Sequence, residues 1–229
     1  MDIQVFQEKE VWIQTIVNEM ATYINAADKP ITLGLSGGKT PYSIYEALSR
    51  NIEDPTKLHV YIADERYVPF DHPDSNYGMI LASFIGSHKE TIGSFHFIDT
   101  RLSIQEAIDQ YSDELKQISD GSLDMLFLGI GPDGHILSLF PHTEQVLDKV
   151  HAVVHSTTDR FAVHDRITMT SRFVLNAKRI MLVASGNDKY SVIEDLKAGV
   201  KSVEESPVMM LRDHPHLQIF YLHQGENRE

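Results

Sequence analysis

Residues 129–141 read GIGPDGHILSLFP and hold the densest chemistry in the chain. Gly129, Gly131 and Gly134 allow a sharp turn where an apolar run ends. His135 carries the side chain most readily tuned to act as a general base near neutral pH. Asp133, two residues earlier, has three possible roles: orienting the imidazole, orienting a water, or acting as the base itself. A histidine in a glycine-rich turn also serves purely structural ends, so the segment has to be weighed with others like it.

Three more segments qualify. Residues 36–40 read SGGKT between an alternating apolar run and a helical pattern. Gly37 and Gly38 permit positive φ and close backbone approach. The helix start beyond them offers free N–H groups and the positive end of a dipole, which suits a phosphate. The same pair also suits a strand–helix turn with no ligand. It is neither a P-loop nor a dinucleotide fingerprint, because both spacings are absent. Asp64-Glu65-Arg66 closes a second apolar run. Arg66 offers a planar fork of donors to a phosphate or carboxyl oxygen, or else an ion pair inside its own loop. SGNDK at 185–189 places Lys189 where a helix should begin, opposite the glycine turn or simply in solvent.

These segments need strands and helices to hold them. Apolar patterning predicts helices over residues 8–26, Thr40–Ser49, Asn76–Phe84, Ile104–Ser119, Ser171–Ala177 and Lys189–Ala198. Thr40 is expected as an N-cap, with Pro41 at the first helical position. Strands are expected at Ile31–Leu35, His59–Ile62, Phe95–Ile98, Met125–Ile130, Ile180–Ala184 and Leu217–Leu222. Arg160–Thr170 reads as an extended crossover. Strands alternating with helices predict an α/β protein with a mostly parallel sheet covered on both faces. In such sheets ligands bind beyond the carboxyl ends of the strands, where all four segments fall. Nothing in the 229 residues looks like a linker, so one domain, 1–229, is expected.

Composition narrows the function. The net charge of −13 argues against nucleic-acid binding through a broad basic surface, yet leaves room for a small anionic ligand. There is no Cys, which removes disulfides, thiolate metal sites and thiol nucleophiles and suits a reducing, cytoplasmic setting. No apolar run approaches the roughly 20 residues of a membrane span, and no signal peptide is evident. Of the twelve histidines, His88, His96, His151, His155, His214, His216 and His223 are expected on the surface or in loops. None shows metal-ligand spacing. No G-x-S-x-G elbow is present.

Together the segments LSGGKTPYSIYEAL, ADERYVPFDHPDSNYGMI, LGIGPDGHILSLFPHT, DRITMT and VASGNDK resemble the 6-phosphogluconolactonase family. They occur in the family's order between Leu35 and Lys189. The resemblance implies a Rossmann-like three-layer α/β/α fold. It implies hydrolysis of 6-phosphoglucono-δ-lactone in the oxidative pentose phosphate pathway, with no cofactor and a phosphorylated sugar lactone as partner. It places Gly37, Gly38, Lys39 and Thr40 in a phosphate loop, with Arg66 and Lys189 as cations. It makes His135 the general base beside Asp133, puts Arg166 near the substrate, and gives Ser75 and Asn76 to the pocket's shape; Asp64 is grouped with the binding residues. Glucosamine-6-phosphate deaminases are similar too, but their DGHIAFNEP segment carries a Glu where this chain has none. A sugar-phosphate sensor without catalysis is a third reading. It would need the phosphate loop but not a base. The chain departs from the family pattern at His142, usually Gly, and at His164-Asp165, usually ending in Pro.

With no Cys and no spaced His/carboxylate cluster, activity is expected to survive exhaustive chelation. Loss of turnover in EDTA, restored by one divalent ion, is the opposite result.

Overall fold

The computed structural model describes residues 1–118 and 121–223. Seven strands form a parallel sheet: β1 (Asp2–Phe6), β2 (Ile31–Leu35), β3 (Leu58–Ile62), β5 (Ser94–His96), β6 (Met125–Gly129), β9 (Ile180–Ser185) and β10 (Leu217–Leu222). Their order is β1-β10-β9-β6-β2-β3-β5. The innermost strands ITLGL, MLFLG and IMLVAS are buried along almost their whole length, as strands covered on both faces must be. Alternation sorts their side chains: Met125 and Phe127 enter one core, Leu126 and Leu128 the other.

Helices α1 (Lys9–Asn25), α2 (Lys39–Ser49) and α3 (Asn76–Ile80) cover the first face through Trp12, Ile16, Ile44, Tyr45 and Ile80. Helices α4 (Ile104–Lys116), α5 (Ser171–Val174) and α6 (Tyr190–Ala198) cover the second through Tyr111, Phe173 and Ile193. This is the expected three-layer α/β arrangement. The chain runs outward from β2 through β3 to β5 on one side. It returns to β6 and runs outward through β9 to β10 on the other. The reversal between β2 and β6 opens a crevice beyond their carboxyl ends.

A second, antiparallel sheet stands at that crevice. It comprises β4 (Asp64–Arg66), β8 (Asp165–Met169) and β7 (Val153–Thr157). Ala63 joins the two sheets: its N–H donates to Leu35 O (2.8 Å) and its carbonyl accepts from Met169 N (2.9 Å). The expected crossover at Arg160–Thr170 is therefore a hairpin tip followed by β8, and β7 was not anticipated. Nor was β1, a five-residue edge strand, DIQVF, in which no residue is fully buried.

Two further expectations are corrected. Helix α2 begins at Lys39, with Gly38 as its N-cap at φ 116°, so Thr40 is already the second helical residue and Pro41 the third. A positive φ is open to Gly and strained for Thr. His214 is buried and its Nε2 meets Ala177 O at 2.8 Å, while His96 stacks on Tyr61 and pairs with Glu114. Ser119, the predicted end of α4, lies outside the described residues.

Glu65 locks β4 to α3. Its carboxyl is fully buried and accepts from the N–H groups of Arg66 (2.7 Å), Asn76 (2.7 Å) and Tyr77 (2.6 Å). Burial pushes it up to about 7, against the pull of those N–H groups. Raised above the ordinary 4.5, it contributes stability that is complete below about pH 4.5 and lost as pH rises through about 7. Glu65→Gln should lower stability by about 1–3 kcal/mol through a mispaired N–H. The gap from wild type, measured by thermal melts, should be wider near pH 5 than near pH 8. An equal gap at both would exclude this account.

Candidate functional site

The crevice holds a cavity of about 440 Å³. Four walls meet there: Ser36–Pro41 after β2, Gly129–Pro132 with His135 and Leu137 after β6, Val183–Ser185 with Lys189 after β9, and Asp64, Arg66, Phe161 and Arg166 from the antiparallel sheet. The four strand ends singled out in the sequence thus converge.

Gly37 is required by what lies beneath it. A Cβ there would fall 1.7 Å from Asn76 Oδ1. Asn76 in turn donates to the Asp64 carbonyl (2.7 Å) and carboxylate (3.3 Å). Ser138 Oγ donates to the other Asp64 oxygen at 2.7 Å. Ser75 caps α3 by accepting from Gly78 N at 3.1 Å. Ser75 and Asn76 therefore sit behind the pocket wall and fix its position, whereas Asp64 forms part of the wall itself. Because no side chain caps α2, its first N–H groups remain open beside Lys39 and Thr40. Lys189 lines the opposite wall, paired with its neighbour Asp188.

Arg66 and Arg166 are direct cross-strand partners in β4 and β8, so both project to the same face. Arg66 Nη1 donates to Asp74 O at 2.7 Å. It does not form an ion pair within its own triplet, since Asp64 and Glu65 are buried and bound elsewhere. The Nε atoms of both arginines are buried without a hydrogen-bond partner. The Arg166 guanidinium lies over the rings of Phe161 (5.0 Å) and Phe140 (5.5 Å). Burial lowers its pKa, Asp64 opposes that, and Arg66 adds to it.

The turn after β6 is built for an imidazole. Gly134 has φ 81°, and a Cβ on Gly131 would lie 2.1 Å from His135 Nδ1, so only glycine lets the ring fold back. His135 Nδ1 lies 2.6 Å from Asp133 Oδ1. An ionised carboxylate only accepts, so Nδ1 carries the proton and Nε2 is left with its lone pair. Burial alone would raise the Asp133 carboxyl. The hydrogen bond and charge of His135, with the charge of Arg160, outweigh it and hold the group well below the usual carboxylate range. His135 lines the cavity and Asp133 does not. His135 therefore brings an imidazole with a free Nε2 lone pair to the cavity, and Asp133 fixes its tautomer from behind.

Ser138, Arg160 and Phe161 belong to the site and were not anticipated. Ser138 is one apolar-flanked serine among many. Arg160 and Phe161 lie on a hairpin tip whose partner strand β7 had no clear signal.

A model of the family described as glucosamine-6-phosphate isomerases/6-phosphogluconolactonase matches residues 7–219. A probable 6-phosphogluconolactonase of Dictyostelium discoideum is 36% identical over 216 residues, covering 91% of each chain. The solved 6-phosphogluconolactonase of Thermotoga maritima superposes with a TM-score of 0.83 at 24% identity, covering 97% of this chain and 99% of its own. A solved monomeric glucosamine-6-phosphate deaminase gives a TM-score of 0.82 at 24% identity over 97% of each chain, so backbone likeness alone does not separate the two chemistries. By the family match and the identity to its relatives, this chain belongs to the glucosamine-6-phosphate isomerase/6-phosphogluconolactonase family.

Proposed function

We propose that this chain hydrolyses 6-phospho-D-glucono-1,5-lactone to 6-phospho-D-gluconate, as a single domain over residues 1–229 working in the cytoplasm. The observation that carries the reading is the opposed pair Arg66 and Arg166, each with an unpartnered buried Nε, on the wall of a pocket whose base is His135. That pocket presents unsatisfied cationic donors and holds a base. Relatives named 6-phosphogluconolactonase at 29–36% identity support the same substrate. Among the described residues no helix is long and apolar enough to cross a membrane, in keeping with the cellular setting proposed.

The substrate's phosphate is assigned to the open start of α2 at Gly38–Thr40, with Lys39, Arg66 and Lys189 as its cations. Arg166 shares its two aromatic neighbours with His135, which supports assigning it to the lactone end. There, neutral His135 takes a proton through Nε2 from a water as the water's oxygen bonds to C1. The tetrahedral oxyanion is stabilised by donors such as the Arg166 guanidinium. Collapse breaks the bond from C1 to the ring oxygen, and the imidazolium returns its proton to that oxygen. A δ-lactone is reactive enough to need no covalent intermediate. The deaminase reading is weaker, because the position of its Glu is Phe140, buried with its ring 5.0 Å from His135. A sensor would have no use for a base held by its own carboxylate.

The direct test offers fresh 6-phosphogluconolactone and follows acid release above the spontaneous rate. Turnover is expected there, and none is expected as ammonia from glucosamine 6-phosphate; the reverse pattern refutes the proposal. In the same assay His135→Ala should lower kcat by about 10²–10⁴-fold with little change in KM. Asp133→Asn should lose less, and the wild-type rate should fall at acid pH as the imidazole takes up a proton. A folded His135→Ala protein of normal kcat, beside an inactive Asp133→Asn protein, would move the base to Asp133.

Lys189→Ala should raise KM for the phosphorylated lactone roughly tenfold and leave kcat nearly unchanged, since a phosphate contact persists into the transition state. Unphosphorylated gluconolactone should be a poor substrate. Equal handling of both lactones would remove the phosphate site.

A further inference from the structure

The tip between β7 and β8 touches three working groups of the pocket through two consecutive residues. Arg160 forms an ion pair with Asp133 Oδ2, the oxygen not used by His135. Phe161 lies edge-on to the His135 ring (5.8 Å) and under the Arg166 guanidinium (5.0 Å). Phe161 lines the cavity although it is 42% exposed. The tip has defined geometry: Thr158 N donates to His164 O (3.2 Å), Arg160 N donates to Thr158 Oγ1 (3.2 Å), and Arg166 Nη2 donates to Val163 O (3.4 Å).

We propose that Arg160 is a positioning residue of the His135–Asp133 dyad, and that Phe161 beside it completes the pocket wall against Arg166 and His135. The proposal rests on the lactonase reading for its kinetic consequence but not for its physical one. The χ2 torsion of an aspartate is broad and only two-fold, so bonds to Oδ1 alone, from His135 Nδ1 (2.6 Å) and His135 N (3.2 Å), leave the carboxylate free to tilt about that oxygen. A guanidinium on Oδ2 removes that freedom. Asp133 is then gripped at both oxygens, and the imidazole it orients presents Nε2 to the cavity in one direction. The second effect is electrostatic. Arg160 is a fixed cation near an imidazole that has to be neutral to accept a proton, and it opposes formation of the imidazolium. The other charged groups around that ring are Asp133 on its own turn and Arg166 on β8, with Lys39, Asp64, Arg66 and Lys189 on further walls of the pocket.

The test is an NMR titration of the His135 Cε1–H in wild type, Arg160→Ala and Arg160→Lys, with His135→Gln supplying the assignment. Arg160 is half exposed at a hairpin tip, so both variants should fold, as melts would verify. In Arg160→Ala the midpoint should rise by about half a pH unit, and Arg160→Lys should return it most of the way. In the lactonase assay Arg160→Ala should lower kcat about tenfold, hold KM within about twofold, and move the acid limb of the rate profile to higher pH. Phe161→Ala should instead raise KM about twofold to fivefold and leave the midpoint in place. A midpoint in Arg160→Ala equal to that of wild type overturns the positioning role, whatever the activity. An unchanged KM in Phe161→Ala overturns the second half. Absence of lactonase activity in wild type refutes the reaction and leaves the titration to decide the grip.

Discussion

Two arginines stand side by side across β4 and β8, on the same side of a small sheet, Arg166 buried and Arg66 half-buried, each with its Nε out of water. Like charges so placed repel, and nothing in the pair itself relieves them. Much of the surrounding structure reads as accommodation of this strain. Asp64 supplies a nearby countercharge, held on its two oxygens by Asn76 and Ser138. Two aromatic rings receive the Arg166 guanidinium on their faces. Glu65, between Asp64 and Arg66 in sequence, turns to the other face and anchors the strand through three backbone N–H groups. What remains is a cationic wall whose donors are fixed in place by its neighbours.

The same arrangement explains why the second sheet exists. A doubly wound sheet brings strand ends together at a crevice but offers no side wall there. Folding β4, β8 and β7 against that crevice supplies the wall, and it supplies it with cations. The wall also carries Ile167 and Met169 into the second core, so Arg166 rides on a strand whose next residues are fully buried, and Arg66 is paired to that strand.

The central strands were legible because burial on both faces leaves continuous apolar runs in the sequence, such as MLFLGI. The strand-end segments were legible because glycine pairs, a lone histidine and charged residues at the ends of such runs have no packing purpose. Less was legible where pairing is decided by distant partners. β1 is a short edge strand with no fully buried residue, recognisable only once β10 is known to need a neighbour. β7 reads VVHST, too short and mixed to stand out. Arg160 and Phe161 carried no signal because their contacts, Asp133 and His135, lie more than twenty residues away in another element. The start of α2 was misplaced by one residue, because the conformational freedom of Gly38 outweighs the capping chemistry of Thr40.

Ala63 is one residue long and belongs to both sheets at once. Strand side chains alternate with a period of two, so the faces of β3 and β4 are in fixed phase across it. One extra residue between Ile62 and Asp64 would invert β4. Glu65 would then point into the anion pocket, and Arg66 into the place of the buried anchor. Sequence drift in this chain is consequently lopsided. A change of length in the hairpin tip at 158–164 leaves the phase of β4 untouched, whereas the three residues from Ile62 to Asp64 are closed to insertion or deletion of any size that is odd.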